Sequence, residues 1–271
     1  MKNEKRSELS IGIFDSGVGG LTVVKEVVRL LPGERIIYLG DTARVPYGTK
    51  SSKTVVKYAQ SNVRFLLSKG IKILVIACNT ASAYSLDVLK ETVEQPVIGV
   101  IEPGVKKALD TTRTGKIGVI GTPSTIKSNA YNTEIEKLDE SAEVFSKACP
   151  LFVPLAEEGW HEGEIAHAVA EKYLDYFRNS DIDTLILGCT HYPLLKTTIQ
   201  SVLGENITLV DSAEETAKAV MNMLENRDLL GNNNSVSVRE FYLTDNSDSF
   251  LSIANRFLGK DIEDIQLIDI V

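Results

Sequence analysis

The sequence predicts an α/β protein built as two pseudo-symmetric, doubly wound parallel-sheet lobes with a cleft between them. Three observations carry this. Apolar runs of strand length alternate with amphipathic helical stretches along the 271 residues, the rhythm of parallel sheets covered by helices on both faces. One pattern occurs twice: Ile73-Leu-Val-Ile-Ala-Cys78-Asn-Thr-Ala-Ser82 and Thr184-Leu-Ile-Leu-Gly-Cys189-Thr-His-Tyr-Pro193 each run apolar up to a cysteine, then turn small and polar. Ile11-Gly-Ile-Phe-Asp-Ser16 resembles Ile117-Gly-Val-Ile-Gly-Thr122, and Asp15 precedes Cys78 by 63 positions while Gly121 precedes Cys189 by 68. Strands like Ile-Gly-Val are common in α/β chains, so the match of 11–16 with 117–122 alone is weak. Its agreement in spacing with the cysteine match is what implies matched lobes. Equivalent strand ends would then face each other, with Asp15 and Cys78 on one side and Thr122 and Cys189 on the other. The expected division is 1–99, completed by 210–271, against 100–209.

The elements follow in order. A strand from Ile11 runs into the glycine-rich turn Asp15-Ser-Gly-Val-Gly-Gly20, where the backbone can turn tightly and approach a ligand. A helix from Leu21 carries Leu21, Val24, Val27, Val28 and Leu31 on one face and stops at Pro32-Gly33. A strand over 35–39 leads to the loop Gly40-Asp-Thr-Ala-Arg-Val-Pro-Tyr-Gly48. Ser51 or Ser52 can cap the next helix, whose apolar face is Val55, Ala59, Val63 and Leu66. After the Cys78 strand we expect helices over 81–91, 103–111 and 123–138, strands over 97–101, 116–122 and 143–148, and a mixed loop from Cys149 to Gly159. A helix over 164–178 precedes the Cys189 strand, and Pro193 suits the first turn of the helix after it. A strand at 207–211, a helix at 213–225, a turn at Gly231-Asn-Asn-Asn234 and a last strand–helix–strand complete the chain.

Composition narrows the function. A formal net charge of −8 argues against a phosphate-binding surface, and no Lys/Arg run reads as a nucleic-acid stripe. Three cysteines without a CxxC or zinc-like spacing suggest neither a disulfide framework nor a metal site. Neither a dinucleotide fingerprint nor a pyridoxal-type lysine context is present, so no cofactor is expected. No apolar run approaches the ~18–20 residues of a membrane span. The stretch from Met1 to Ser10 lacks the apolar centre of a signal peptide, and a reducing cytoplasm is the expected location.

A cysteine at a strand tip differs from one inside an apolar run, because backbone amides open toward solvent there. Amide dipoles at a helix start should lower the thiol pKa. Two such thiols on opposite sides of a small substrate form an acid–base pair. One removes a proton from a carbon while the other supplies one to the opposite face, which inverts the centre. Asp15 and His191 could each polarise a neighbouring cysteine, although Asp15 also reads as a turn or cap residue. Ser16, Asn79, Thr80, Thr190 and the amides around Tyr47-Gly48 are neutral donors suited to carboxylates. Arg44 alone brings positive charge near these motifs. Cys149, His161 and His167 receive no role, and Glu157 on its own reads as a solvated carboxylate.

These motifs, together with Asp41, Pro46-Tyr-Gly48 and Val-Pro154-Leu-Ala-Glu157-Glu-Gly159, resemble the cofactor-independent aspartate/glutamate racemase superfamily, and within it the glutamate racemases. The resemblance covers about residues 11–212, in the family's order and spacing. It implies two α/β lobes enclosing glutamate, with Cys78 acting on D-glutamate and Cys189 on L-glutamate. Asp15, Glu157 and His191 become auxiliary catalytic groups. Asp15, Ser16, Tyr47, Gly48, Asn79, Thr80, Thr190 and His191 match substrate-contacting positions, joined by Thr122 from the repeat. The implied role is supply of D-glutamate for peptidoglycan, and a homodimer is expected. Racemisation of aspartate or another small acid, a one-thiol hydrolase using His191, and a two-lobed ligand-binding module are the competing readings.

Overall fold

The computed structural model describes residues 6–231, 238–245, 250–258 and 265–270. The expected turn at Gly231–Asn234 falls, from residue 232 on, outside them. The first sheet takes β1 (Ser10–Asp15), β2 (Ile36–Gly40), β3 (Ile71–Ile76) and β4 (Val97–Gly99), with helices α1 (Leu21–Leu30), α2 (Ser52–Ser68) and α3 (Asn79–Thr92) between them. The second takes β5 (Lys116–Gly121), β6 (Glu143–Ala148), β7 (Thr184–Gly188) and β8 (Thr208–Asp211). Helix α4 (Ile101–Thr111) joins the sheets. Within the second lobe lie α5 (Pro123–Lys127), α6 (Ala130–Leu138), α7 (Phe152–Glu158), α8 (Glu164–Leu174) and α9 (Lys196–Leu203). The chain then continues through α10 (Ser212–Glu225), β9 (Arg239–Leu243), α11 (Phe250–Leu258) and β10 (Ile265–Leu267).

Every strand pairing among the described residues is parallel, and the two sheets repeat one plan. The order β2-β1-β3-β4 in the first matches β6-β5-β7-β8 in the second, and β9 and β10 extend the first sheet beyond β2. Strand β8 stays paired with β7 through Asp211, so residues 210 and 211 belong to the second sheet. The central strands are buried on both faces, which is why they read as continuous apolar runs. Helix α10 packs on both α1 and α4. The largest core cluster accordingly joins Val24 and Val27 of α1, Val220 and Leu224 of α10, and Leu185 and Leu187 of β7.

Two expected elements differ. The helix expected over 123–138 is two helices, because Asn129 adopts the left-handed region at φ 60° between them; asparagine tolerates that conformation better than other side chains. The loop expected from Cys149 to Gly159 contains α7. Pro154 is the third residue of α7, where a backbone N–H has no intrahelical partner to lose. Gly159 closes the helix at φ 76°. Among the described residues no helix is long and apolar enough to cross a membrane.

Candidate active site

In parallel sheets the carboxyl ends of the strands, where loops and helix starts converge, are the usual ligand side. Here the two sheets present those ends to one pocket of about 160 Å³, well below the ~300–1,000 Å³ of drug-sized sites. The first lobe lines it with Ser16, the Val45–Thr49 loop, Cys78, Asn79 and Thr80. The second contributes Thr122, Pro150, Glu157, Cys189, Thr190 and His191. Of the expected site residues only Asp15 is absent from the lining. It lies fully buried behind the pocket, one Oδ accepting from the amides of Gly17 (3.1 Å) and Gly20 (3.0 Å). Its other Oδ has no hydrogen-bond partner among the described residues.

Cys78 is the N-cap of α3, and its sulfur accepts from the Ala81 amide at 3.4 Å. The thiol also reaches Ser16 Oγ at 3.6 Å. The expected fall in pKa does not follow. Burial, and then the negative charge of Asp15, push the thiol up to about 12 against the lowering effect of the Ala81 amide and Ser16. One amide contact cannot offset loss of water around a buried thiolate. Charge on Cys189 raises Cys78 further, so the thiols are close enough to sense each other.

Cys189 has a different setting. No α-helix starts at it: a single 3-10 turn, Tyr192–Leu195, intervenes before α9, with Pro193 inside that turn. Its partner is His191, whose Nδ1 lies 3.8 Å from the sulfur. Nε2 of the same ring meets Glu157 Oε1 at 3.0 Å, and the ring sits edge-on to Phe257 of α11, centroids 5.2 Å apart. Burial disfavours the imidazolium, but Cys189 and Glu157 on its two nitrogens outweigh it and raise the His191 pKa to about 10. Glu157, half-exposed, is therefore the outer end of a relay rather than an isolated solvated carboxylate.

The remaining lining is neutral. Among the described residues no Lys or Arg lines the pocket. Arg44 turns away, with Nε on both Asp41 oxygens (2.8 and 2.7 Å), NH2 on Asn62 Oδ1 (2.9 Å) and its guanidinium over the Tyr58 ring. Asp41 also accepts from the Tyr47 hydroxyl and from Thr244 Oγ1. That network anchors the 45–49 loop, so Tyr47 and Gly48 face the pocket while the Tyr47 hydroxyl is engaged behind it.

Two supporting residues are not among those expected from the sequence. Thr125 closes a triangle of hydroxyls with Thr80 and Thr122, each edge 2.9–3.0 Å, and Tyr131 accepts from Asn79 Nδ2 at 2.8 Å. Thr125 falls three residues after the helix cap Thr122, a spacing that could have suggested the first contact. Nothing local to Tyr131 suggests the second.

Residues 11–220 match the Asp/Glu/hydantoin racemase family. The chain is 52% identical to a glutamate racemase of Geobacter metallireducens, over 94% of this chain and 95% of that one. It is 51% identical to the glutamate racemase of Aquifex aeolicus over 94% and 96%. The solved glutamate racemase of Francisella tularensis in complex with D-glutamate superposes with a TM-score of 0.93 at 41% identity, covering 97% and 98%. An aspartate racemase of Picrophilus torridus, at 20% identity and a TM-score of 0.57, shares the fold alone. The chain belongs to the Asp/Glu/hydantoin racemase family, within its glutamate racemase branch, and is an isomerase.

Proposed function

We propose that the chain interconverts L- and D-glutamate without a cofactor, by proton transfer between Cys78 and Cys189 on opposite faces of the α-carbon. The observation that carries this is the pair of strand-tip thiols, one from each lobe, in a single small pocket and close enough to be electrostatically coupled. Cys78, held as a thiol by burial and Asp15, is the resting acid. Cys189, with His191 Nδ1 3.8 Å from its sulfur, is the base for L-glutamate. Cys189 removes the α-proton of L-glutamate and Cys78 returns one to the other face; the reverse path starts from D-glutamate at Cys78. For that reverse path the substrate's own ammonium supplies the positive charge that Cys78 lacks. Asp15, Glu157 and His191 act as auxiliary groups: Asp15 tunes Cys78, and Glu157 holds His191 toward Cys189.

Ser16, the Tyr47-Gly48 backbone, Asn79, Thr80, Thr122, Thr190 and His191 hold the carboxylates and ammonium, with Asp15 reached only through the turn it braces. This neutral set suits a zwitterionic dicarboxylate because each donor is aimed and dry. The product would supply D-glutamate to peptidoglycan synthesis in the cytoplasm, the working unit would be a homodimer, and the lobes would be 1–99 with the chain after Asp211, and 100–211, the expected boundary moving by two residues because β8 stays in the second sheet. Glutamate is preferred over aspartate because relatives at about 50% identity are glutamate racemases. The test is incubation of each enantiomer of glutamate and aspartate in deuterium oxide after dialysis against chelator. Glutamate should invert with one deuterium at Cα. Inversion only after pyridoxal phosphate or a metal is restored, or only of aspartate, would refute the proposal.

A further inference from the structure

We propose that Gly19 is the spacer that sets the closed width of the cleft. It is a positioning residue outside the pocket lining, and the inference rests on the two-thiol reading above. The glycine-rich turn suggests backbone meeting a ligand, but at Gly19 it meets the other lobe. A Cβ there would stand 2.2 Å from Thr190 Oγ1, 2.6 Å from His191 Nδ1 and 2.7 Å from His191 Cε1. The His191 ring cannot simply swing aside, being bonded to Glu157 on Nε2 and packed against Phe257. Nor does the first lobe need glycine here for its own sake. The Gly19 φ lies outside the left-handed region, and its carbonyl accepts from Thr22 within its own turn.

A second bare Cα, Gly48, meets Thr122 across the same cleft, where a Cβ would come within 2.7 Å of the Thr122 Cβ. Beside the Thr80–Thr122–Thr125 hydroxyl contacts, the lobes thus meet at two glycines with no room for a side chain. A methyl group at position 19 forces them apart by about an ångström, a displacement that typically costs about 100-fold in rate when reacting groups must be aligned. The cost falls on steps that need both thiols at once. A step that needs one thiol is hit less, because each thiol keeps its place relative to the binding groups of its own lobe.

The test is Gly19→Ala, assayed for glutamate racemisation and for elimination from each enantiomer of 3-chloroglutamate. In elimination one thiolate takes the α-proton, the C–H pair becomes the Cα=Cβ bond and chloride leaves. The enamine then takes up water to give a 2-oxo acid and ammonia. We expect a folded protein whose racemisation falls about 100-fold while both eliminations stay within about fivefold of the unsubstituted enzyme. Unchanged racemisation, a parallel loss of all three activities, or loss of one elimination alone would each overturn the spacer. Failure of the variant to fold would also overturn it, since the account has the lobes parting to admit the methyl. Cys78→Ser and Cys189→Ser, run beside it, separate the two claims: racemisation retained by either removes the two-thiol reading and the spacer with it. An unaffected Gly19→Ala beside two inactive cysteine variants removes the spacer alone.

Discussion

Cys78 and Cys189 follow strands that occupy the same place in their sheets, each beside the strand that opens its repeat. Their surroundings diverge within three residues. Cys78 caps an α-helix and has a carboxylate behind it, whereas Cys189 has no helix cap and a histidine–glutamate pair beside it. The helix cap pulls the pKa of the thiol it holds downward, but not far enough. Burial and Asp15 overrule it on one side, while on the other Cys189 and Glu157 raise the pKa of the His191 ring between them. The repeated strand order therefore delivers two thiols in equivalent positions, and unlike neighbours give them different electrostatic settings.

Replacing either thiol should break the pairing most severely. Cys78→Ser and Cys189→Ser should each lower racemisation by about 10²–10⁴-fold, the usual share of a general acid or base, measured by circular dichroism of glutamate. Folding should persist, because the change is isosteric in shape. L- and D-glutamate have equal free energies, so kcat/KM must fall equally in both directions; a one-sided defect can appear only in kcat, KM or a partial reaction.

Disabling the relay comes next. Glu157→Gln should cost about tenfold in racemisation, at the low end of what supporting hydrogen bonds to a working group supply, and should weaken the Cys189 half-reaction more. The His191 cation also bears on stability. Its pKa rises from 6.5 to about 10 on folding, so its contribution is complete below about pH 6.5 and is lost as pH rises through 10. The melting temperature should decline between pH 7 and 10, and His191→Asn should flatten that decline.

Carboxylate binding should shift less. Thr80→Val or Thr190→Val should raise KM severalfold, about the loss of one neutral hydrogen bond, with a smaller fall in kcat. Arg44→Ala tests the alternative of a charge clamp: full loss of binding there, with the threonine variants unaffected, would show one. The smallest effect belongs to Asp15→Asn. Removing that charge lowers the Cys78 pKa and enlarges its thiolate fraction, so alkylation of Cys78 by iodoacetamide at pH 8 should quicken by roughly three- to tenfold.

Much of this comparison is legible in the sequence. Both cysteines, their strands and the polar residues after them are local patterns, and periodicity locates such patterns well. Family resemblance adds Glu157, which no local feature separates from a surface carboxylate; its role depends on α7, and Pro154 disguises that helix as a loop. The acidity of Cys78 escapes a sequence reading for a similar reason. A helix cap is visible in sequence, but the burial that outweighs it arises from packing of both lobes. Arg44 resembles a clamp in the sequence because its partners, Asn62 and the Thr244-bound Asp41, are brought together only by the fold.

The most direct test of the two-faced pair is elimination from the separate enantiomers of 3-chloroglutamate by the two serine variants. That reaction needs one proton removed and none returned. Cys189→Ser should release 2-oxo acid from the D-enantiomer only, and Cys78→Ser from the L-enantiomer only. Release from the same enantiomer by both variants would contradict the assignment of faces, and full racemisation by either would contradict the pair itself.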